Sequence, residues 1–148
     1  MRVLLQRVSR ARVSVREQVV AEIGRGYLLL VGVGRGDPDT HVAKLADKVA
    51  GLRVFPDDEG RVNRSLADIG GEALVVSQFT LYGDVRKGRR PSWIGAEDPG
   101  RADAMVEAFA VAIEGHGFRV GRGRFGALMQ VELVNDGPLT MWLDAEAF

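Results

Sequence analysis

The sequence predicts an α+β fold in which two main amphipathic helices pack on a curved, barrel-like and mostly antiparallel sheet. Short segments rich in Val, Leu and Ile outnumber the helical patterns, and strands and helices do not alternate regularly, which argues against a doubly wound parallel sheet. The 148 residues contain no linker, internal repeat or low-complexity tract. We therefore predict a single domain over residues 1–148, long enough to bury a core without disulfides or metals.

The first third of the chain consists of short apolar or alternating segments. Residues 3–8, 11–15, 19–23 and 27–33 are each rich in Val, Leu or Ile, and glycines separate the last two. This pattern is typical of β-strands joined by tight turns. We predict four consecutive strands of an antiparallel meander.

Two later segments predict amphipathic helices, because each begins with an aspartate that can cap a helix and a proline suited to its first turn. The pairs are Asp37-Pro38 and Asp98-Pro99. Behind each pair, apolar residues recur three and four positions apart, as they do on one face of a helix. The predicted buried faces are Val42, Leu45, Ala46, Val49 and Leu52 in the first helix, and Met105, Ala108, Phe109, Ala112 and Ile113 in the second.

The second half of the chain predicts further strands around a basic loop. Residues 74–81 begin with an apolar run and predict a buried strand, and residues 83–93 combine glycines with cationic side chains. Residues 118–120 and 128–134 predict two more strands. A last strand over residues 139–143 is expected after a glycine-proline break.

The composition excludes several kinds of site. The chain has no cysteine and only two histidines, His41 and His116, so thiolate catalysis and cysteine-bound metals are excluded and no metal site is predicted. The longest apolar run, residues 27–33, is too short to span a membrane, and no signal-peptide pattern precedes it. We expect a cytoplasmic protein without a membrane partner.

A glycine-rich segment over residues 32–36 follows a predicted strand and precedes a helix, as a dinucleotide-binding loop does. Asp37 stands where that pattern needs its third glycine. Its carboxylate would take the place of a pyrophosphate at the helix N-terminus. We therefore predict no nucleotide cofactor, and no cofactor of another kind is expected.

Two hydroxyl residues, Ser77 and Thr80, stand at the end of the predicted strand over residues 74–81. A nucleophilic hydroxyl usually needs an adjacent base, and neither histidine is near in sequence. Residues three apart on a strand point to opposite faces, so both hydroxyls can line one pocket only if the strand bulges or ends between them. Side-chain triad chemistry is therefore not predicted.

Two basic clusters, each with an aromatic residue behind it, favour an RNA partner, because arginine contacts phosphates and aromatic rings stack on bases. The aromatic residues are Trp93 and Phe125. Solvated surface loops explain the clusters about equally well, and a genome that favours arginine codons explains why the cations are mostly arginines, but two such clusters in a chain of zero formal net charge favour RNA. The cations are Arg86, Lys87, Arg89 and Arg90 in the first cluster, and Arg119, Arg122 and Arg124 in the second.

Taken together, six motifs resemble the D-aminoacyl-tRNA deacylase family, and the resemblance runs nearly end to end. The segments over residues 77–81 and 135–140 are specific to that family, and the others support them. The motifs are Gln6-Arg7-Val8, Ser77-Gln78-Phe79-Thr80-Leu81, Lys87-Gly88-Arg89-Arg90-Pro91-Ser92, Gly123-Arg124-Phe125, Met129-Gln130-Val131 and Asn135-Asp136-Gly137-Pro138-Leu139-Thr140.

The resemblance implies an enzyme that hydrolyses the ester bond of D-aminoacyl-tRNA and releases free D-amino acid and tRNA. It implies a homodimer with its active site at the interface, in which Gly137-Pro138 carries a cis bond and enters the partner's active site to exclude L-amino acids. Arg7, Asn135 and Thr140 would support that motif. Achiral glycine would pass such a filter, so glycyl-tRNA, including glycine mischarged on tRNA(Ala), is a further expected substrate.

The same resemblance assigns the acyl site to Ser77, Gln78, Phe79 and Thr80. Backbone N–H groups near Phe79 and Thr80 would stabilise the oxyanion, and the 2′-hydroxyl of the tRNA would activate water, so that no side-chain base is needed. The tRNA would be held at its aminoacylated 3′ end. The residues expected to bind it are Arg86, Lys87, Arg89, Arg90, Arg122 and Arg124.

Three other functions remain open. A non-catalytic RNA-binding module would bind tRNA through the same basic loops and leave the acyl group in place. A relative of the family would clear an L-amino acid from mischarged tRNA, although Ser77, Phe79 and Arg7 resemble the D-selective branch. A structural or assembly protein has only the neutral charge in its favour. DNA is not an expected partner.

Overall fold

A long bent hairpin is the frame of the molecule in the computed structural model, which describes residues 1–148. Its first arm is β1 (Arg2–Val15), and its second arm comprises β2 (Gln18–Ile23) and β3 (Gly26–Gly32). One antiparallel register joins β1 to β3 and continues into β2, with a bulge only near the turn. The predicted four-strand meander is therefore wrong. The chain between residues 8 and 11 has no glycine or proline, so β1 continues through it, and only its pairing with β8 shifts register there.

The remaining strands extend this hairpin into a six-stranded sheet that is nearly closed into a barrel. β6 (Glu72–Ser77) pairs parallel with β3, and β7 (Val120–Arg122) pairs parallel with β6. β8 (Gln130–Asp144) runs antiparallel along β1. A separate hairpin, β4 (Arg53–Pro56) and β5 (Val62–Ser65), was not predicted. The predicted fold class, α+β with a curved and mostly antiparallel sheet, is confirmed.

Both predicted helices form, as α1 (Thr40–Gly51) and α2 (Pro99–Gly115). Their inward faces follow the predicted periodicity, except that Ala108 is exposed. Asp98 stands at the N-cap of α2, with Pro99 at the first helical position, although its carboxylate makes no capping hydrogen bond. Neither helix is long and apolar enough to cross a membrane. The buried residues are Leu45, Ala46 and Val49 in α1, and Ala102, Met105, Val106, Phe109, Ala110 and Ile113 in α2.

The predicted capping role of Asp37 is wrong, because α1 begins three residues later and Asp37 turns into the protein. Its carboxylate accepts the N–H of Gly34 at 2.6 Å and lies 2.5 Å from the Met1 ammonium. Burial alone would raise the pKa of Asp37, but the hydrogen bonds from Met1, Gly34 and Tyr82 hold it below its ordinary value. Charge pairing across the fold therefore replaces local capping.

Two apolar clusters form the core. The larger cluster lies between the helices and one face of the sheet, and contains Tyr27 and Leu29 of β3 and Phe109 of α2. The smaller cluster lies on the opposite face of the sheet and contains Leu28 of β3 and Leu74 of β6. Since the middles of β3 and β6 are buried on both faces, their central residues are all apolar.

Candidate active site

The chain changes direction at Gln78, directly after β6. Ser77 is the last residue of the strand and pairs with Val31, whose carbonyl accepts the N–H of Gln78 at 2.7 Å. A 3-10 helix, Phe79–Tyr82, then begins, and the N–H of Leu81 donates to the Gln78 carbonyl at 3.2 Å. The strand predicted over residues 74–81 therefore ends at Ser77.

Glycines at the end of β3 and just beyond it make room for this turn. A Cβ atom on Gly32 would lie 2.9 Å from the carbonyl oxygen of Gln78, and one on Gly34 would lie 2.5 Å from the ring of Tyr82. Both distances are shorter than side chains tolerate. The glycine-rich segment therefore serves close packing of the turn against β3, which agrees with the exclusion of a dinucleotide-binding loop.

A cavity of about 410 Å³ opens beside the turn, between the end of β6 and the beginning of α2. Its walls are mainly apolar, and Ser77, Gln78 and Phe79 are the members of the predicted acyl site that line it. Thr80 is exposed next to it. The other lining residues are Val31, Val33, Arg35, Trp93, Ala96, Glu97, Asp98, Pro99, Ala102, Val106, Phe125 and Gly126.

The mouth of the cavity is formed by aromatic and amide groups. Phe79 is 54% exposed, and its ring meets the edge of the Trp93 ring at a centroid distance of 5.3 Å. The side-chain amide of Gln78 donates to the hydroxyl of Thr80. Sequence analysis missed Trp93 as a lining residue. Its position behind the basic loop was visible, but the fold of that loop was not.

Neither hydroxyl at the site has a base. His41 lies against Asp37, and His116 bonds to Asp47 at 2.9 Å, so both histidines are occupied elsewhere. Ser77 and Thr80 hydrogen-bond to no carboxylate. The arrangement therefore lacks the base that a hydroxyl nucleophile requires.

Glu97 is the carboxylate that sequence analysis did not identify, because only tertiary packing brings it to the cavity. It accepts N–H groups from Asp98 at 2.9 Å and Gly36 at 3.0 Å, and the guanidinium of Arg101 at 2.8 Å. These partners lower the pKa of Glu97 to about 2. A carboxylate so fully bonded is a weak base, and its role is to join the β3–α1 connection to the start of α2.

The backbone of the turn offers hydrogen-bond donors to the site. The first hydrogen bond of the 3-10 helix is donated by Leu81, so the N–H groups of Phe79 and Thr80 precede it. Such leading N–H groups have no acceptor inside their own helix. Two adjacent donors beside a cavity form the kind of site that stabilises an oxyanion.

A bulge in β8 carries the glycine-proline segment. Asn135 pairs with Val8 and Thr140 pairs with Gln6, so residues 136–139 lie opposite Arg7 alone. The predicted interruption of the strand is therefore a bulge within one continuous strand. Both Gly137 and Pro138 are exposed, their peptide bond is cis, and Gly137 has a φ of 133°.

Arg7 supports the bulge from inside the protein. It is only 8% exposed, and its Nε donates to the carbonyl of Asp136 at 2.9 Å. Its Nη1 donates to the carbonyl of Val54 in β4. A Cβ atom on Gly137 would lie 2.9 Å from Nη2 of Arg7, so the guanidinium packs directly under the glycine.

Asn135 and Thr140 support the two ends of the same bulge. The Asn135 amide donates to the carbonyls of Arg7 at 2.8 Å and Leu139 at 2.9 Å. The Thr140 hydroxyl donates to the Asn135 side-chain oxygen at 3.2 Å, and the Gln6 amide donates to Thr140 at 3.2 Å. The structure thus brings Arg7, Asn135 and Thr140 together around Gly137-Pro138.

The acyl-site residues and the bulge do not meet within one chain, since no residue from 135–140 lines the cavity.

The predicted tRNA-binding cations divide into those without an ion-pair partner and those already paired with a carboxylate. Lys87, Arg89 and Arg90 are exposed and form no ion pair. Arg86 lies 2.7 Å from Asp84. Arg122 is held by Glu114 at 2.7 Å and Glu107 at 3.0 Å, and these carboxylates raise its pKa.

Fold and site together define the class of protein. The chain is a strand-rich α+β protein with a nearly closed sheet. Its cavity lies at the end of β6, beside the backbone N–H groups of Phe79 and Thr80. Comparison of the sequence with known families then identifies the family. The family model described as D-Tyr-tRNA(Tyr) deacylase matches residues 4–144, and the chain belongs to this family.

Relatives of the chain agree with this assignment. The D-aminoacyl-tRNA deacylase of Roseiflexus castenholzii is 59% identical over 148 residues, covering 100% of this chain and 94% of that one. The D-aminoacyl-tRNA deacylase of Thermomicrobium roseum is 59% identical over 145 residues, covering 98% and 94%. Enzymes so named are hydrolases that act on aminoacyl-tRNA, so the predicted family and enzyme class are confirmed.

Two solved structures share the fold. A c-Myc DNA unwinding element binding protein superposes with a TM-score of 0.90 at 36% identity, covering 97% of this chain and 98% of that one. A probable eukaryotic D-amino acid tRNA deacylase superposes with a TM-score of 0.83 at 19% identity, covering 96% and 97%. The second likeness concerns the fold alone.

Proposed function

We propose that this protein hydrolyses the ester bond of D-aminoacyl-tRNA, releases D-amino acid and tRNA, and rejects L-aminoacyl-tRNA by means of Gly137 and Pro138. One observation supports this most directly. Arg7 and Asn135 hold the exposed bulge at these residues from inside the protein, while the bulge lies outside the cavity of its own chain. A loop that is held in position from inside the protein and does not reach the cavity of its own chain is suited to enter the cavity of a second subunit.

A filter of this kind works by exclusion. Glycine has no side chain, so the carbonyls of Gly137 and Pro138 can approach a bound amino acid closely. Carbonyl oxygens accept hydrogen bonds from an α-ammonium, and an amino acid held in that way has no room for an L side chain. A D side chain points away from the loop. Many D-amino acids are therefore proposed substrates, together with glycine, including glycine mischarged on tRNA(Ala).

The protein is proposed to act as a homodimer in which each bulge enters the cavity of the other subunit. The separation of the bulge from the cavity within one chain supports this arrangement. A two-fold symmetric dimer gives two equivalent sites, each built from both chains. We also propose that the protein works in the cytoplasm, where aminoacyl-tRNA is used.

The proposed reaction needs little from side chains. Water attacks the ester carbonyl carbon, and the oxyanion accepts hydrogen bonds from the N–H groups of Phe79 and Thr80. The ester C–O bond then breaks, and the proton lost by the water passes to the leaving oxygen, which becomes the tRNA hydroxyl. The 2′-hydroxyl of the tRNA activates the water. Ser77 and Gln78 line the acyl pocket, and no cofactor takes part.

The residues proposed to contact tRNA differ in whether their charges are already paired with carboxylates. Lys87, Arg89 and Arg90 are exposed without ion-pair partners, so their charges are available to phosphates. Arg86 and Arg122 already have carboxylate partners, so a phosphate would have to displace an ion pair. Lys87, Arg89 and Arg90 are therefore the main proposed phosphate contacts of the basic loop.

A direct test compares hydrolysis of D-tyrosyl-tRNA and L-tyrosyl-tRNA side by side. Release of D-tyrosine with L-tyrosyl-tRNA left intact is expected. Binding of both without loss of the acyl group would instead indicate an RNA-binding module, and preferential release of L-tyrosine would indicate a relative that clears mischarged L-amino acids.

The cross-subunit arrangement is tested by mixing two inactive variants. Phe79→Pro removes a proposed oxyanion donor in the cavity, and Gly137→Ala alters the bulge. After the two variants are unfolded together and refolded, each mixed dimer contains one intact cavity facing one intact bulge, so about a quarter of wild-type activity is expected. No recovery, in a mixture that light scattering shows to be dimeric, would place both parts of the site in one chain.

A second candidate is DNA binding, because one structure at 36% identity is that of a protein named for binding a DNA unwinding element. Competition separates the two functions. Duplex DNA should compete poorly with tRNA if the cations serve the proposed deacylase. Tighter binding of DNA than of tRNA would favour the second candidate.

A further inference from the structure

A second groove, of about 740 Å³, adjoins the candidate active site. One wall is the turn between β1 and β2, and the other is the loop over residues 123–129 between β7 and β8. Gly126 lines both this groove and the active-site cavity. The groove is therefore adjacent to the cavity on the side of Gly126.

Two arginines face the groove without partners. Arg16 belongs to the turn and Arg124 to the loop, and both are exposed and form no ion pair. Arg12 and Arg122, on the neighbouring strands, are instead paired with carboxylates. Glu17 is the one acidic residue in the lining. The groove therefore has two arginines without ion-pair partners, close to the paired Arg12 and Arg122.

The surface between these charges is apolar. Leu128 is 93% exposed at the rim, and Val15, Ala127 and Met129 also line the groove. The loop is held in a compact turn, since the N–H of Ala127 donates to the Arg124 carbonyl at 3.2 Å. Apolar side chains flanked by arginines suit a single-stranded nucleic acid, because its phosphates can contact the guanidinium groups while the flat faces of its bases bury the apolar side chains.

The backbone of the turn points to the same residue. Arg16 and Glu17 have φ angles of 50° and 65°, in the left-handed region where two-residue hairpin turns favour Asn, Asp or Gly. An arginine at this position does not stabilise the left-handed backbone conformation that the turn requires. Its charged side chain at the edge of the groove offers a reason for its presence.

We infer that this groove, named here the Arg16–Arg124 groove, binds the single-stranded 3′ end of the tRNA, namely the nucleotides that precede the esterified terminal nucleotide. The inference rests on the proposed deacylase function and extends it to a second contact with the same substrate. With the acylated end in the cavity, the preceding nucleotides pass Gly126 and lie between Arg16 and Arg124.

The test compares two substrates that share the acyl group but differ in the nucleic acid, D-tyrosyl-tRNA and the D-tyrosyl ester of adenosine. The variants are Arg16→Asn, which keeps a residue suited to the turn, and Arg124→Gln. Each is expected to lower the ratio of kcat/KM for the tRNA to kcat/KM for the adenosine ester by about five- to tenfold. The slope of log kcat/KM against log salt should fall by about 0.7 for each lost phosphate contact.

The matched control is Arg61→Gln. Arg61 is an exposed arginine paired with Glu59 at 2.9 Å between β4 and β5, so its loss should leave the ratio at the wild-type value. An unchanged ratio in both groove variants would overturn the inference. A change of oligomeric state in the double variant, seen by light scattering, would also overturn it and would make the groove an interface between copies of the chain.

Failure of the proposed function is a separate result, in which the wild-type protein hydrolyses neither ester. Binding of uncharged tRNA then decides the inference. The groove predicts that removal of the single-stranded 3′ end weakens binding to the wild-type protein, and that this effect disappears in the Arg16→Asn, Arg124→Gln double variant. Equal binding of intact and shortened tRNA by the wild-type protein would refute it.

Discussion

The side-chain amide of Asn135 donates a hydrogen bond to the backbone carbonyl of Arg7 over 2.8 Å, between residues 128 positions apart in the chain. The same amide nitrogen donates to the carbonyl of Leu139 at 2.9 Å, so one side chain joins both ends of the β8 bulge to β1. Arg7 in turn donates to the carbonyl of Asp136. The position of Gly137 and Pro138 therefore depends on side chains that lie outside the cavity.

Arg7→Lys is expected to reduce kcat/KM for D-tyrosyl-tRNA by at least about tenfold, because lysine keeps the charge but loses the fixed fork that reaches two carbonyls together. One buried carbonyl should then be left without a donor, which lowers the free energy of unfolding by about 1–3 kcal/mol. Hydrolysis assays and urea unfolding measure the two effects. Wild-type activity in this variant would show that the bulge does not need the guanidinium.

Gly137→Ala is expected to abolish most D-tyrosyl-tRNA hydrolysis, because the new Cβ would lie 2.9 Å from Arg7 Nη2 at a φ of 133°. Gly60→Ala is the matched control. Gly60 also has a positive φ, of 77°, but nothing lies within 4 Å of a Cβ there. Each variant should lose about 1–2 kcal/mol of stability from backbone strain, and only Gly137→Ala should lose activity. Full activity with unchanged D/L selectivity in Gly137→Ala would place the filter elsewhere.

Ser77→Ala and Thr80→Ala are expected to retain much more activity than an enzyme that has lost its nucleophile, for which turnover falls by about 10⁶. Neither hydroxyl bonds to a histidine or a carboxylate, so neither is activated for attack. Steady-state rates with D-tyrosyl-tRNA and mass spectrometry of the quenched protein check this expectation. A covalent acyl adduct on Thr80 would contradict it.

Phe79→Pro is expected to lower kcat by about 10²–10³, the usual effect of removing one oxyanion donor. Proline is compatible with the first turn of the 3-10 helix, and Gln78 before it, with φ −146° and ψ 77°, lies outside the helical region that a following proline excludes, so the backbone should keep its course. Phe79→Ala is the control, because it removes the ring and keeps the N–H group. Equal losses in the two variants would assign the effect to the ring.

Glu97→Gln is expected to lower the free energy of unfolding at neutral pH, and the difference from the wild-type protein should shrink in acid. The N–H of Asp98, the N–H of Gly36 and the guanidinium of Arg101 lower the pKa of Glu97 from 4.5 to about 2. Because the folded-state pKa is lowered, the stabilisation is complete above pH 4.5 and is lost as the pH falls through about 2. Urea unfolding at pH 7, 4 and 3 measures this trend. A difference independent of pH would exclude the ionised carboxylate as its cause.

The features that the sequence determined by itself are those with a local pattern. The three- and four-residue spacing behind Pro99 specifies the buried face of α2, since the helix repeat brings those positions to one side. The continuous apolar run that begins at Leu74 specifies a strand buried on both faces. The segment around Gly137-Pro138 was recognisable by its motif, and the structure places Arg7, Asn135 and Thr140 beside it.

Tertiary structure alone decided the partners of the polar groups. Asp37 had the local pattern of a helix cap, but burial beside the Met1 ammonium offered its carboxylate a stronger partner than a helix N-terminus does. Arg122 belonged to a basic cluster in sequence, yet Glu107 and Glu114 of α2 neutralise it. Electrostatic partners are brought together by the tertiary fold from distant parts of the sequence, whereas the periodic pattern of a helix or strand is local in the sequence. The sequence therefore determined both helices and the central strand, whereas only the packing decided how far the long strands continue and which charges remain available to a substrate.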